Sequence, residues 1–173
     1  MTIAGEGLPG IALIDANFEL LVAARQDSGR LSALLHATIA DGWLDFPEAL
    51  AAMCADYEKS PEPRRWGTLF FLLETPRRLV GWGGYKGEPK QGVVEFGYAI
   101  APGERGKGYA TAAAQAMIGR AFAAPEISAV MAHTLAAENA STAILRKLGF
   151  AKVDELIDPE DGPVWSWRLE RKS

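Results

Sequence analysis

The sequence predicts an α/β fold of the α+β kind, in which a mixed, mostly antiparallel twisted central sheet is flanked by helices. Three observations carry this expectation. Apolar strand-like runs and helical apolar periods are mixed along the chain. The runs at 67–74, 78–85 and 93–101 follow one another through short turns, which makes an antiparallel meander. A run, a helix and a second run at 93–101, 109–123 and 127–135 then make a β-α-β crossover.

The elements follow in order. Ile11 to Ile14 is a short apolar run and a first strand. Asn17 to Arg25 and Gly29 to Ala37 read as helices. Phe46-Pro47-Glu48 opens another, with Leu50, Met53, Cys54 and Tyr57 at helical spacing, and Pro61 and Pro63 end it. The strands at 67–74 and 78–85 are joined by Thr75-Pro76. Lys86 to Gln91 is a polar loop with Gly and Pro that leads into the strand at 93–101. The helix from Tyr109 to Ala123 carries Met117, Ile118, Ala121 and Phe122 on one face and stops near Pro125. After the strand at 127–135 comes a helix from Ala140 to Leu148, with Gly149 placed as its C-terminal cap. Phe150 to Ile157 and Val164 to Leu169 close the chain as two strands around Pro159-Glu160-Asp161-Gly162.

Bulk properties exclude several classes. At 173 residues the chain is long enough for one domain with a full core, and 1–173 reads as a single unit. Eighteen Lys and Arg against 22 Asp and Glu give a net charge of −4, which argues against nucleic-acid binding. No apolar run approaches bilayer length, so no membrane span is expected. Residues 1–7 carry no basic region and no long apolar segment, so no signal peptide is expected. The lone Cys54 reads as a small core residue, and a reducing, cytoplasmic setting fits it. Two histidines and one cysteine match no common zinc spacing, so no metal is expected.

The stretch Arg105-Gly106-Lys107-Gly108-Tyr109-Ala110 sits between a strand and a helix. Gly106 and Gly108 let the backbone turn tightly and approach a ligand. The helix behind them leaves its first N–H groups unpaired and adds a partial positive charge. Arg105 and Lys107 add two full charges, so the stretch suits a pyrophosphate. It is not a P-loop, because Lys107 is followed by Gly108, and it is not a dinucleotide fingerprint, because Thr111 stands where the third glycine belongs.

Glu95 to Pro102 followed by Arg105 to Ala110 resembles the cofactor strand and loop of the GNAT superfamily of N-acetyltransferases, whose loop reads Q/R-x-x-G-x-G/A. Asn139 to Thr142 and Lys147-Leu148-Gly149-Phe150 are similar to the N-x-x-S/T and K-L-G-F segments of the ribosomal-protein N-terminal acetyltransferase-like branch. The resemblance is strong over 93–150 and weaker outside. It implies acetyl-CoA as donor and a strand pair that splays to admit the pantetheine arm. The arm would pair with the backbone of Tyr98, Ala99 and Ile100. The pyrophosphate would rest on Arg105, Gly106, Lys107, Gly108, Tyr109 and Ala110, with Asn139 reaching the cofactor. Asn139 is equally suited to cap the following helix.

The reaction implied is attack of a primary amine of a small molecule or peptide on a thioester, which needs a base to remove a proton. Many family members place a Tyr seven residues after the Asn. Here that position is Arg146. Two base candidates remain. Glu95 lies between Val94 and Phe96 and is expected to have a raised pKa if half buried. His133 lies near the end of the next strand. His36 reads as structural. Among the aromatics concentrated in the N-terminal half, Trp43 and Trp82 are the candidates for an acceptor pocket. A non-catalytic acyl-CoA-binding or sensing module is the alternative, since the Tyr position is vacant. Val164, Trp165 and Trp167 either support a homodimer or pack inward by alternation.

Overall fold

A computed structural model describes residues 8–173, so the expectation about a signal peptide lies outside the described residues. The elements are β1 (Ile11–Asp15), α1 (Phe18–Gln26), α2 (Ser28–Leu35), β2 (Thr38–Ile39), α3 (Pro47–Lys59), β3 (Thr68–Glu74), β4 (Arg77–Tyr85) and β5 (Val93–Ile100). They continue with α4 (Tyr109–Phe122), β6 (Ala129–Leu135), α5 (Ala140–Lys147), β7 (Ala151–Asp158) and β8 (Gly162–Glu170). The strands form one 8-stranded sheet in the order β1-β3-β4-β5-β6-β8-β7, with β2 added to β4. Among the described residues only the β5–β6 and β2–β4 pairs are parallel.

β3 shows how the sheet divides two cores. Its apolar run Leu69 to Leu73 is buried on both faces. Alternation sends Leu69, Phe71 and Leu73 to the side of α4, into the core that also holds Met117, Phe96 and Trp167. Phe70 and Leu72 face the other side and meet Leu21, Leu31 and Leu50 of α1, α2 and α3. A strand covered by helices on both faces loses the apolar–polar alternation of a half-exposed one, hence its continuous apolar run.

Local chemistry sets the helix ends. Asn17 accepts from the Leu20 N–H at 2.8 Å and Asp27 from the Arg30 N–H at 3.0 Å, starting α1 and α2. Pro47 stands in the first turn of α3. Two boundaries differ from the sequence reading. α2 stops at Leu35, because His36 takes a left-handed conformation with φ 50° and turns the chain. β2 then pairs with Arg78 and Leu79, and two residues are too short to show a period.

The feature that positions the site is a parting of strands. β5 and β6 pair only through Val93, Val94 and Glu95 against Ala129, Val130 and Met131. Beyond Glu95, β5 continues along β4 as far as Ile100, while β6 continues along β8 as far as Leu135. The sheet therefore opens into a V. Val164 and Trp167 are buried on opposite faces of the last strand, and Trp165 is half-buried. Among the described residues no helix is long and apolar enough to cross a membrane.

Candidate active site

Alternation along β5 decides which backbone groups face the V. Ala101 donates its N–H to Val80 O at 2.8 Å, so odd-numbered residues of this stretch turn their polar groups toward β4. Tyr98 and Ile100 turn theirs toward the opening. The Ile100 carbonyl accepts from Arg105 Nε at 3.1 Å. The Tyr98 N–H and C=O and the Ile100 N–H are left for an extended guest carrying amides.

Below the V, Gly106 and Gly108 have φ of 78° and 83°, the left-handed region that favours glycine. Gly108 is the N-cap of α4 and supplies no side chain to cap it. The first N–H groups of a fourteen-residue helix thus point at the loop. They border a cleft of about 680 Å³ that is also lined by Tyr98, Arg105, Ala110 and Asn139. Such an arrangement attracts an anion through aligned donors and the helix dipole.

Lys107 sits differently from Arg105. Its ammonium binds Glu104 Oε2 at 3.0 Å, and Arg78 Nε binds Glu104 Oε1 at 2.8 Å. Lys107 is not among the residues lining the cleft. Hydrogen bonds from Lys107 and Arg78 hold the Glu104 carboxyl below the usual carboxylate range, with burial working weakly against them. A depressed pKa contributes stability that is present above the unfolded value of about 4.3 and lost as pH falls through the folded value. The melting temperature should therefore fall on acidification from pH 5 toward pH 3, and fall less steeply in Glu104→Gln. Calorimetry at several pH values measures this, and equal slopes would remove Glu104 from the account.

A second cleft, of about 690 Å³, lies across Tyr98, Asn139 and Ser141 from the first and shares those three residues with it. It contains Glu95 and His133. Both are odd-numbered on neighbouring strands in register, so they project from the same sheet face. Glu95 Oε1 lies 2.8 Å from His133 Nδ1 and 3.0 Å from Lys86 Nζ. The expected rise in the Glu95 pKa is not found. Burial pushes it up, but hydrogen bonds and charge from Lys86 and His133 outweigh burial and lower it. Glu95 is thus a carboxylate at neutral pH and accepts only. His133 Nδ1 must donate, which leaves Nε2 as the basic nitrogen of the neutral ring. Nε2 has no protein partner among the described residues.

The remaining candidates separate. Trp82 lines neither cleft; it lines a third, adjoining one with Lys86, Gly97 and Tyr98 and donates Nε1–H to Asp45 at 3.0 Å. Trp43 does not line either cleft. It is buried and packs edge-on against Phe70, at 5.2 Å between centroids, as a core residue. Asn139 caps α5 in a reciprocal box with Thr142, each bond 3.0 Å, and also lines both clefts. Arg146 forks onto Glu138 and lies 5.2 Å over the Trp167 ring, outside both clefts.

Sequence reasoning left out Lys86, which it placed in a loop. Lys86 pairs its N–H with Glu95 O at 2.8 Å, so the hairpin itself delivers the charge to Glu95. It also left out Leu135, Leu156 and Ile157, which stay exposed at the mouth of the second cleft. Apolar residues at strand ends beside a turn were the available signal. Among the described residues no group of three or more His, Cys, Asp or Glu is arranged to hold a metal ion.

A strand pair that parts above an uncapped, glycine-led helix is the architecture of an acyl-CoA-dependent N-acyltransferase. Residues 22–151 match the family model of the acetyltransferase (GNAT) domain. The chain belongs to the GNAT family, and its activity is transfer of an acetyl group to an amine, for which the family implies acetyl-CoA. It is 29% identical over 143 residues to the uncharacterized N-acetyltransferase YjdG of Bacillus subtilis, covering 81% of each chain. Its fold is similar to that of RimL, a ribosomal-protein α-N-acetyltransferase solved with coenzyme A, with a TM-score of 0.67, 14% identity and 98% of each chain covered. It is also similar to a spermidine N-acetyltransferase chimera that derives in part from Vibrio cholerae, with a TM-score of 0.68, 14% identity, and 92% and 95% of the two chains covered.

Proposed function

We propose that this enzyme moves the acetyl group of acetyl-CoA to a primary amine by direct attack, with both substrates bound at once. The observation that carries this reading is the junction of the two clefts at Tyr98, Asn139 and Ser141, with an anion cradle on one side and the Glu95–His133 pair on the other. The pantetheine arm would lie along Tyr98, Ala99 and Ile100. The pyrophosphate would take the N–H groups of Tyr109 and Ala110, the turn at Gly106 and Gly108, and the Arg105 guanidinium. Lys107 contributes long-range charge, since Glu104 holds it. Acetyl-CoA supplies an activated acyl carbon and a thiol leaving group.

His133 Nε2 takes a proton from the attacking amine. Glu95 holds the ring by Nδ1–H and favours the imidazolium that results, much as an acidic residue orients a catalytic histidine elsewhere. Lys86 keeps that carboxylate ionised. The test is release of CoA thiol from acetyl-CoA across a panel of N-terminal peptides, amino acids, polyamines and aminoglycosides. Tight binding of acetyl-CoA with no release for any amine would overturn the reading in favour of an acyl-CoA-sensing module.

The mouth of the second cleft narrows the choice of acceptor. Of the six exposed large hydrophobics among the described residues, four, Phe46, Leu135, Leu156 and Ile157, gather there. Gathered apolar side chains mark a surface meant to be covered. They favour a peptide α-amine with an apolar neighbour, which resembles the α-N-protein acceptor in RimL's name more than the spermidine of the other relative. Replacing Leu135 and Ile157 together by Ser should raise KM for such a peptide about tenfold, or ~1.4 kcal/mol, the scale of partly burying one apolar side chain. kcat should hold, because the contact is made equally in ground and transition states. Steady-state kinetics on apolar and polar peptides measures this, and an unchanged KM would argue for a different acceptor.

A further inference from the structure

Among the described residues, Tyr98 Oη is the one buried side-chain polar atom that lacks a hydrogen bond. An unpartnered buried hydroxyl opposes folding, and phenylalanine would fill the same space without it. Its position is specific. Tyr98 lines both clefts, at their junction. It is even-numbered on β5, so its ring leaves the sheet on the face opposite Glu95 and packs 5.7 Å from Phe96, toward α4 and α5. The Ser141 hydroxyl is close enough to affect its titration without completing a hydrogen bond. Arg146 is held by Glu138 and points elsewhere. The V thus has a base on one face and an unused donor on the other.

We propose that Tyr98 Oη–H is a catalytic donor, giving its hydrogen bond to the thioester sulfur as the carbon–sulfur bond breaks. This rests on the acetyl-transfer reading above. The amine nitrogen bonds to the acyl carbon, and its proton passes to His133 Nε2. The electron pair of the broken bond leaves on sulfur, where Tyr98 stabilises the charge. The proton that completes the thiol arrives from solvent, and His133 returns its own to solvent, so no other reactant is needed. Burial pushes the Tyr98 pKa up to about 12, against a smaller lowering by Ser141, so the phenol stays neutral and a donor throughout the working range. A phenol this weak shares its proton with sulfur rather than surrendering it.

The test is Tyr98→Phe, examined by binding and stability as well as turnover. The melting temperature of the free variant should equal or exceed that of the parent, because an unpartnered hydroxyl has been removed. kcat should fall roughly 10–100-fold, the range for losing a hydrogen bond to a charged group. Acetyl-CoA should bind with unchanged Kd. Free CoA should bind the parent more tightly as pH rises through the thiol pKa, about 8.5 for an ordinary thiol. The variant should lose that gain. An unchanged kcat together with an unchanged pH dependence of CoA binding would overturn the proposal. So would a fall in melting temperature that accounts for the lost activity. If the parent released no thiol with any amine, the acetyl-transfer reading would fail, while the CoA-binding profile would still decide the role of Tyr98.

Discussion

Replacing His133 by alanine should lower kcat by about 10²–10⁴-fold, the usual contribution of a positioned general base. Acetyl-CoA should still bind with near-parental affinity, because His133 lines the cleft of Glu95 and not the one beside the Gly106–Gly108 loop, where the cofactor is proposed to lie. The fold should survive. His133 is partly exposed and its one side-chain bond is to Glu95. Glu95→Gln should give a smaller loss, since an amide still accepts from Nδ1–H but no longer offsets the charge on the ring. Steady-state kinetics with isothermal titration of acetyl-CoA separates the two. Equal losses in both variants would make Glu95 the base and His133 its partner. No loss in either would place the proton transfer on a water chain.

Gly108→Asp should abolish useful binding of acetyl-CoA, weakening Kd by about 10²-fold or more. Two costs combine. A residue with a Cβ at φ 83° is strained by about 1–2 kcal/mol. A carboxylate at the start of α4 would compete for the N–H groups that no side chain now caps, and would repel a phosphate, at a cost of about 1–2 kcal/mol. Gly108→Ala separates these, since its Cβ would meet only the Pro9 ring, Cδ at 3.6 Å and Cγ at 3.9 Å, both ordinary contacts. Alanine should therefore show the strain alone, about tenfold. Titration of both variants with acetyl-CoA and with desphospho analogues measures each part. Parental affinity in Gly108→Asp would remove the loop from cofactor binding.

The loop at Gly106 and Gly108 and the cap at Asn139 were largely legible in the sequence because their chemistry is local. Gly106 and Gly108 take left-handed φ by necessity of the turn, and Asn139 caps the helix that follows it directly. Contiguous residues reveal such devices by type and spacing alone. The cleft of Glu95 and His133 was legible only in fragments. Glu95 and His133 were visible as candidates, yet nothing in a list of residues places them 2.8 Å apart across 38 positions. The charge of Glu95 was misjudged for the same reason. Burial was inferable from Val94 and Phe96, but the counterweight of Lys86 comes from a hairpin fold-back. Trp43 and Trp82 were indistinguishable by residue type. The structure sends one into the core beside Phe70 and the other to a third cleft, bonded to Asp45.

By itself, then, the sequence determined the order of elements, the period of each, and the loop that suits a pyrophosphate, because propensity, capping and glycine conformation act within a few residues of chain. Only the tertiary structure decided where β5 and β6 part, which faces of the V carry Glu95, His133 and Tyr98, and which apolar residues are left uncovered at its mouth. Those outcomes depend on strand register, and in a sheet a single step of register moves every side chain to the opposite face.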